Sequence, residues 1–294
     1  MTQRRREEAR SARWRCHLIG SLGGCLLLVM VSTAHGVVVY ESTFDTLVLG
    51  ETAPFPGRPG QDHWFLAQAT APSYGEIQDA VANDGRALHE YTDHTNENGQ
   101  PTVDQRSLTS PDLTANPFLV LEADFQARSS DLEAVNPYGA SLIVYGGPQV
   151  VCQIIGFVVQ GGNGSPKSTT GTKVVLYFFD GVSNHGPIPL TVGQQLAWNT
   201  WHHVRLVENQ AADEYVSLTV DGQTQDIRGY ALPRQVDGGG SWLRGQLMED
   251  LTAAIAPHDL AGEESDDDVT WDNVSLRVGL FFDGFESGNL SAWP

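Results

Sequence analysis

From Val37 onward the chain is written in short stretches whose apolar residues recur at every second position, separated by clusters of Gly, Pro, Asn and Asp. In Tyr215-Val216-Ser217-Leu218-Thr219-Val220 the residues at 216, 218 and 220 share one face, as a strand with one dry and one wet side requires. Asp221-Gly222 follows, and both residue types tolerate the positive φ of a tight hairpin turn into Gln223–Ile227. The same reading predicts strands at 37–44, 64–69, 75–80, 87–91, 118–127, 141–145, 150–159, 173–179, 201–207 and 269–278. Many short strands with turn signals between them predict an all-β antiparallel sandwich or barrel. One stretch departs from the pattern. Within Gly240–Ile255, Leu243, Leu247, Leu251 and Ile255 recur at helical spacing and predict a short helix, with Gly245 weakening its first turn. The polar stretches 50–62, 93–112, 161–171 and 229–240 read as long loops. No repeat of 20 to 50 residues is visible, which argues against solenoids and propellers.

The N-terminus has the order of an export signal. Six arginines and two glutamates in residues 1–15 run into an apolar, glycine-containing stretch from Leu18 to Val31, and small residues follow at 32–36. A peptidase would cut after Ala34 or Gly36. The apolar run is short of the roughly 20 residues that a membrane span needs. Cys25 follows Leu22-Gly23-Gly24, but most of the apolar stretch lies after the cysteine, which argues against lipidation. The expected organisation is a signal peptide over 1–36, one domain over 37–278 and a C-terminal tail over 279–294. The expected location is secreted or on the cell surface.

Taking the leader's six basic and two acidic residues from the 17 and 36 of the whole chain leaves 11 and 34, a net charge of −23. Such a surface repels nucleic acid and anionic lipid. Two of the three cysteines leave with the leader, so no internal disulfide is expected and the core must stabilise the fold. Cys152 sits in the apolar run Val150–Ile155 and reads as a buried, inert thiol.

Three stretches together resemble the concanavalin A-like lectin and glucanase superfamily, of laminin-G-like jelly-roll form and with secreted bacterial members. They are Tyr40-Glu41-Ser42-Thr43-Phe44-Asp45 with Gly60-Gln61-Asp62-His63-Trp64, then Trp198–Leu206 with Val220-Asp221-Gly222, and last Val269-Thr270-Trp271-Asp272-Asn273-Val274-Ser275-Leu276. The resemblance implies a two-sheet antiparallel jelly roll whose first and last strands are neighbours. It also implies that Trp201, Trp271 and Trp64 are core aromatics. The fold hosts lectins, hydrolases and structural modules alike, so function has to come from a site.

The glucanases of this superfamily carry a Glu-x-Asp-x-x-Glu strand whose two glutamates act as nucleophile and acid/base about 5 Å apart. The nearest stretch here, Glu122-Ala123-Asp124-Phe125-Gln126-Ala127, has alanine where the second glutamate is needed. Glu122 and Asp124 then read as ordinary outward carboxylates of an alternating strand. No Gly-x-Ser-x-Gly elbow or His-Glu-x-x-His helix is present. His202 and His203 are adjacent, so on a strand they point to opposite faces and would not share one ion. The histidines at 63, 89 and 94 have no ligand spacing.

The resemblance further implies a structural Ca2+ between the opening and closing strands, held by Glu41, Asp45 and Asp272 with loop carbonyls. The competing reading is that Asp45 and Asp272 bond to loop amides. For carbohydrate, Tyr145 and Tyr177 on central strands are the candidates to line a concave face. The tail, with Asp283-Gly284-Phe285-Glu286-Ser287-Gly288, resembles an ending found on assorted exported bacterial proteins. The functional expectation is a non-catalytic, lectin-like recognition module that binds carbohydrate and is not an enzyme. The alternatives are a structural or adhesive envelope protein and a divergent glycan-active hydrolase.

Overall fold

The computed structural model describes residues 37–51, 60–68, 74–92, 103–107, 116–128, 138–146, 152–161, 171–235, 242–248 and 267–279. Residues 1–36, most of the expected tail, and residues 240–241 and 249–255 of the expected helix lie outside them. In chain order the strands are β1 (Val37–Ser42), β2 (Gly50–Glu51), β3 (Trp64–Gln68), β4 (Tyr74–Gln78), β5 (Ala87–Thr92), β6 (Val103–Ser107), β7 (Phe118–Arg128), β8 (Tyr138–Gly146) and β9 (Cys152–Gly161). Then come β10 (Thr172–Val175), β11 (Phe178–Phe179), β12 (Asn184–His185), β13 (His202–Asn209), β14 (Glu214–Val220), β15 (Gln223–Asp226), β16 (Arg234–Gln235), β17 (Trp242–Met248) and β18 (Asp267–Gly279).

All pairings are antiparallel. The larger sheet runs β15-β14-β13-β7-β18-β5-β4-β2, and the smaller runs β10-β9-β8-β17-β6-β3. The opening strand β1 pairs with the closing strand β18, as expected of a jelly roll. β18 serves two neighbours on that side: β5 along Asp267–Trp271 and β1 along Val274–Val278. A one-residue bulge between Asp272 and Ser275 separates the two halves.

Alternation decides what meets between the sheets. Leu119, Leu121, Ala123, Phe125 and Ala127 of β7 join Val204 and Leu206 of β13, Trp271 of β18, and Leu142, Val144 and Val159 of the smaller sheet in one core. Trp64 and Trp271 are fully buried, and each indole N–H has an acceptor: Tyr40 Oη at 2.9 Å and Glu90 Oε2 at 3.0 Å. Trp201, expected in the core, is half-buried. The tip between β14 and β15 has positive φ at both Asp221 (48°) and Gly222 (78°), as the sequence predicts.

Two expectations need correction. Residues 242–248 are not helical; they form β17, which pairs with both β6 and β8. Leu243 and Leu247 are four apart, a spacing that fits a helix turn and an even strand step equally well. Two waiting strand partners select the strand. The stretch 93–112, read as loop, contains β6, which joins β3 to β17. Among the described residues no helix is long and apolar enough to cross a membrane.

Candidate functional site on the outer face of the larger sheet

The positions of β7 that alternate with its core residues are Phe118, Val120, Glu122, Asp124, Gln126 and Arg128. They point away from the smaller sheet. The β7–β13 register is unbroken and sets His203 opposite Asp124 and Arg205 opposite Glu122. Arg205 Nε lies 2.8 Å from Glu122 Oε1, and Ser275 Oγ donates to Glu122 Oε2 at 3.4 Å.

Asp124 is held more tightly. His203 Nδ1 lies 2.7 Å from its Oδ1, while the side-chain amides of Asn83 and Asn273 donate to Oδ2 at 2.8 Å and 2.7 Å. Burial pushes the Asp124 carboxyl up, but the bonds from His203, Asn273 and Asn83 outweigh it and hold the group below its usual value. The bond to Asp124 in turn raises His203, against the effect of burial. The ring is half exposed, and with Nδ1 committed to Asp124, Nε2 is the nitrogen left for chemistry.

The bulge in β18 makes this arrangement possible. Asn273 adopts a left-handed backbone (φ 49°), a conformation that asparagine tolerates better than most residues. That turn brings its side chain to Asp124 while Asp272, directly opposite Asp124, stays buried. Asp272 accepts from the backbone N–H groups of Asn83 (3.2 Å), Asp84 (3.3 Å) and Asn273 (2.7 Å). Even so, burial prevails over those bonds, and with Asp124 nearby it pushes Asp272 up to about 6.

The loop 79–86 is thus gripped from both chain ends. Asp272 holds Asn83 and Asp84, and Asp45 Oδ1 accepts from the N–H of Arg86 at 2.8 Å. Gly85 has a left-handed backbone (φ +70°) that favours glycine, and a Cβ there would stand 1.8 Å from Asp45 Oδ1 and push that carboxylate from its place. Asn83 on this loop then reaches Asp124.

The three residues expected to hold Ca2+ are not brought together as a ligand set. Asp45 and Asp272 bond to loop amides, and Thr43 Oγ1 donates to the other oxygen of Asp45 at 2.9 Å. Glu41 is turned to Arg277 at 3.2 Å. Among the described residues no group of three or more acids, histidines or cysteines is placed to hold a metal ion.

Tyr145 lies in β8, between Ile154 of β9 and Trp242 of β17. Tyr177, expected on a central strand, lies outside the strands between β10 and β11; its ring packs on Gly186 and its carbonyl accepts from Tyr215 Oη at 2.9 Å. They do not share a strand face.

The histidine reading holds in direction. His202 is buried, between Asp221 Oδ2 (2.8 Å) and the Ala197 carbonyl (3.2 Å), and His203 faces the other side. The Asp124–His203 pair itself was not foreseen, because Asp124 read as an ordinary outward carboxylate. The glucanase comparison also changes. In an unbulged strand the residue that shares a face with Glu122 and Asp124 is Gln126, an amide, whereas Ala127 points into the core. β7 therefore carries no second glutamate on either count.

The class that these two sheets define is the all-β, two-sheet antiparallel sandwich of jelly-roll form. No protein-family model matches the chain, and no curated protein does. Among solved structures it is similar to a carbohydrate esterase from Shiga toxin-encoding bacteriophage phi24B, at 11% identity and TM-score 0.49, over 83% of this chain and 100% of that one. It is similar to an endo-β-1,4-glucuronan lyase from the fungus Trichoderma reesei at 12% identity and TM-score 0.46, over 76% and 93% of the two chains. A Bacillus licheniformis β-glucanase matches at 10% and 0.47, over 84% and 100%. The expectation of a non-catalytic, lectin-like module that is not an enzyme is corrected here, since these structures are of carbohydrate-active enzymes. At such identities the likeness concerns the path of the chain; the residues that act have to be read from this chain alone.

Proposed function

We propose that the chain is a glycan-active enzyme of the laminin-G-like branch of the fold, exported through residues 1–36, with His203 as its general acid/base and Asp124 as the group that orients it. The observation that carries this reading is the Asp124–His203 pair at 2.7 Å, with Asp124 fixed by two further amides. A carboxylate on Nδ1 sets the ring orientation and stabilises the imidazolium, which leaves Nε2 to exchange a proton with a hydroxyl or ring position of a bound sugar. The Glu122–Arg205 pair, one step along the same two strands, adds donors and acceptors on the same face. Both hydrolysis and elimination require such a proton transfer, and the absence of a second glutamate on β7 argues against the two-glutamate glucanase mechanism.

The test is a screen of the full chain against neutral and uronic polysaccharides, read by reducing ends and by absorbance of unsaturated products. His203→Ala is expected to lower turnover by about 10²–10⁴-fold. Asp124→Asn is expected to move the pH-rate limb that His203 governs to lower pH. Turnover that His203→Ala leaves unchanged would refute the assignment. N-terminal sequencing of exported material beginning near His35 or Val37 supports export, and an intact Met1 in soluble cytoplasmic protein refutes it.

A further inference from the structure

Glu208 occupies a core-facing position. The β7–β13 register is unbroken, so Glu208 follows Val204 and Leu206 on the inner face of β13 and lies opposite Leu119 of β7. It is completely buried. A carboxylate held in such a place without a counter-charge is costly.

Among the described residues no cation reaches it. Tyr215, its register partner on β14, is also fully buried and donates its Oη–H to the Tyr177 carbonyl at 2.9 Å. Asp213, in the turn between the two strands, adds a like charge and is itself paired with Arg234. β9, which packs against β13, carries Cys152 as its one titratable residue.

What does reach Glu208 is an amide. Gln210 is fixed by its backbone N–H, which donates to the Pro117 carbonyl at 2.7 Å, and its Nε2 donates to Glu208 Oε2 at 3.1 Å. That bond leaves Oε1 of Glu208 and Oε1 of Gln210 both buried with no hydrogen-bond partner. The pair is short of one proton. Turning the amide over does not supply it, since Gln210 Oε1 would then stand 3.1 Å from Glu208 Oε2, acceptor against acceptor.

We infer that Glu208 is a neutral carboxylic acid in the folded protein, its Oε1–H donating to Gln210 Oε1 while its Oε2 accepts from Gln210 Nε2. One proton, taken from solvent as the chain folds, satisfies both orphaned atoms and removes the buried charge. The pair acts as a proton-dependent latch, tying Gln210 and the turn that leads through Asp213 into β14 to the core side of β13. Loss of the proton leaves a buried anion beside Asp213, so the turn is released as pH rises. Burial likewise pushes the Glu208 carboxyl well above its usual value, against the pull of the Gln210 bond and with Asp213 adding to the rise. The latch lies at the opposite end of β13 from His203 and stands whether or not His203 is catalytic.

The test is difference infrared spectroscopy of the full chain, with melting curves alongside. At about pH 6, where an exposed glutamate is ionised, wild type is expected to show a hydrogen-bonded neutral carboxyl band that Glu208→Gln lacks. That variant is expected to fold with unchanged far-ultraviolet circular dichroism, because the new amide donates in place of the acid. The folded group binds its proton more tightly than the unfolded one, so the stability it contributes is complete below the unfolded value of 4.5 and is lost as pH rises through the folded value. Over that range wild type is expected to lose about 3–5 °C of melting temperature per pH unit relative to Glu208→Gln, a comparison in which Asp272 cancels. The amides of Gln210, Ala211 and Ala212, held by the Pro117 carbonyl and Asn209 Oδ1, are expected to exchange at least about tenfold faster than in the variant once Glu208 ionises. If Glu208→Gln does not fold, Gln210→Met, which removes the amide and keeps the acid, is expected to move the carboxyl band to higher frequency. The absence of a neutral band in wild type overturns the inference. So does a band that these changes leave in place, or a melting slope or turn exchange that Glu208→Gln shares. Melting that shifts with added K+ or Ca2+ in wild type alone places a cation between the two oxygens, and that outcome overturns it as well.

Discussion

The two ends of β7 share one inner face and differ on the outer one. Inward, Leu119 and Phe125 belong to the same continuous core, and nothing distinguishes the ends. Outward, one end offers Phe118 and Val120, and the other offers Asp124, tied to His203, Asn83 and Asn273. On the core side the alternating residues of β7 are all apolar and close-packed. The outer side holds a small, buried apolar cluster at one end and a hydrogen-bonded charged network at the other.

The largest expected effect lies beneath the polar end, where the two faces depend on each other. The Phe125 ring packs 6.0 Å from Trp271 and 5.8 Å from His202, centre to centre. Phe125→Ala is expected to cost about 3–5 kcal/mol of stability, read from urea melts. A loss under about 1 kcal/mol would mean that the network above holds the strands in place without the core below.

A smaller effect separates the two aspartates that face each other across β7 and β18. Asp124 sits below its usual value, so the stability it contributes is present above its unfolded pKa of 3.8 and is lost as pH falls. Asp272, pushed up to about 6, behaves in the opposite way: the folded state binds the extra proton, so stability falls as pH rises from 3.8 through about 6. That slope amounts to roughly 3 kcal/mol at most. Asp272→Asn is expected to flatten it, apart from an offset for the lost acceptor at Asn83 and Asp84. Melting temperatures from pH 4 to 7 that give wild type and variant the same slope would show that Asp272 is not the group responsible.

The smallest effect concerns the boundary between the two ends. Glu122→Gln breaks the partly exposed pair with Arg205 and is expected to cost about 0.2–1 kcal/mol. Its effect on stability is expected to add to that of Val207→Thr within about 0.5 kcal/mol. A larger coupling would mean that the polar and apolar ends form one unit.

Most strands were legible in the sequence because a strand's faces are a local property. Tyr215–Val220 shows its buried set by alternation, and β7, β13 and β18 likewise lie where their alternation places them. β6 was not legible, since Val103-Asp104-Gln105-Arg106-Ser107 carries only one apolar residue and forms a strand through its neighbours. The candidate site was half legible. Alternation already turned Asp124 and His203 outward, which was the signal available. Their meeting rests on the register of two strands 79 residues apart in the chain. Asn273 came within reach only through a bulge, and Asn83 through a loop that Asp45 and Asp272 hold in place.

The sequence by itself therefore determined the all-β class, the two faces of most strands and the hairpin at Asp221-Gly222, because side-chain period and turn chemistry act over a few residues. Tertiary structure alone decided that 242–248 is a strand, that Asp45 and Asp272 serve loop amides, and that Asp124 has a histidine partner. Each of those outcomes depends on which distant segment lies alongside, and that is settled by the burial of the whole core and not by any local stretch.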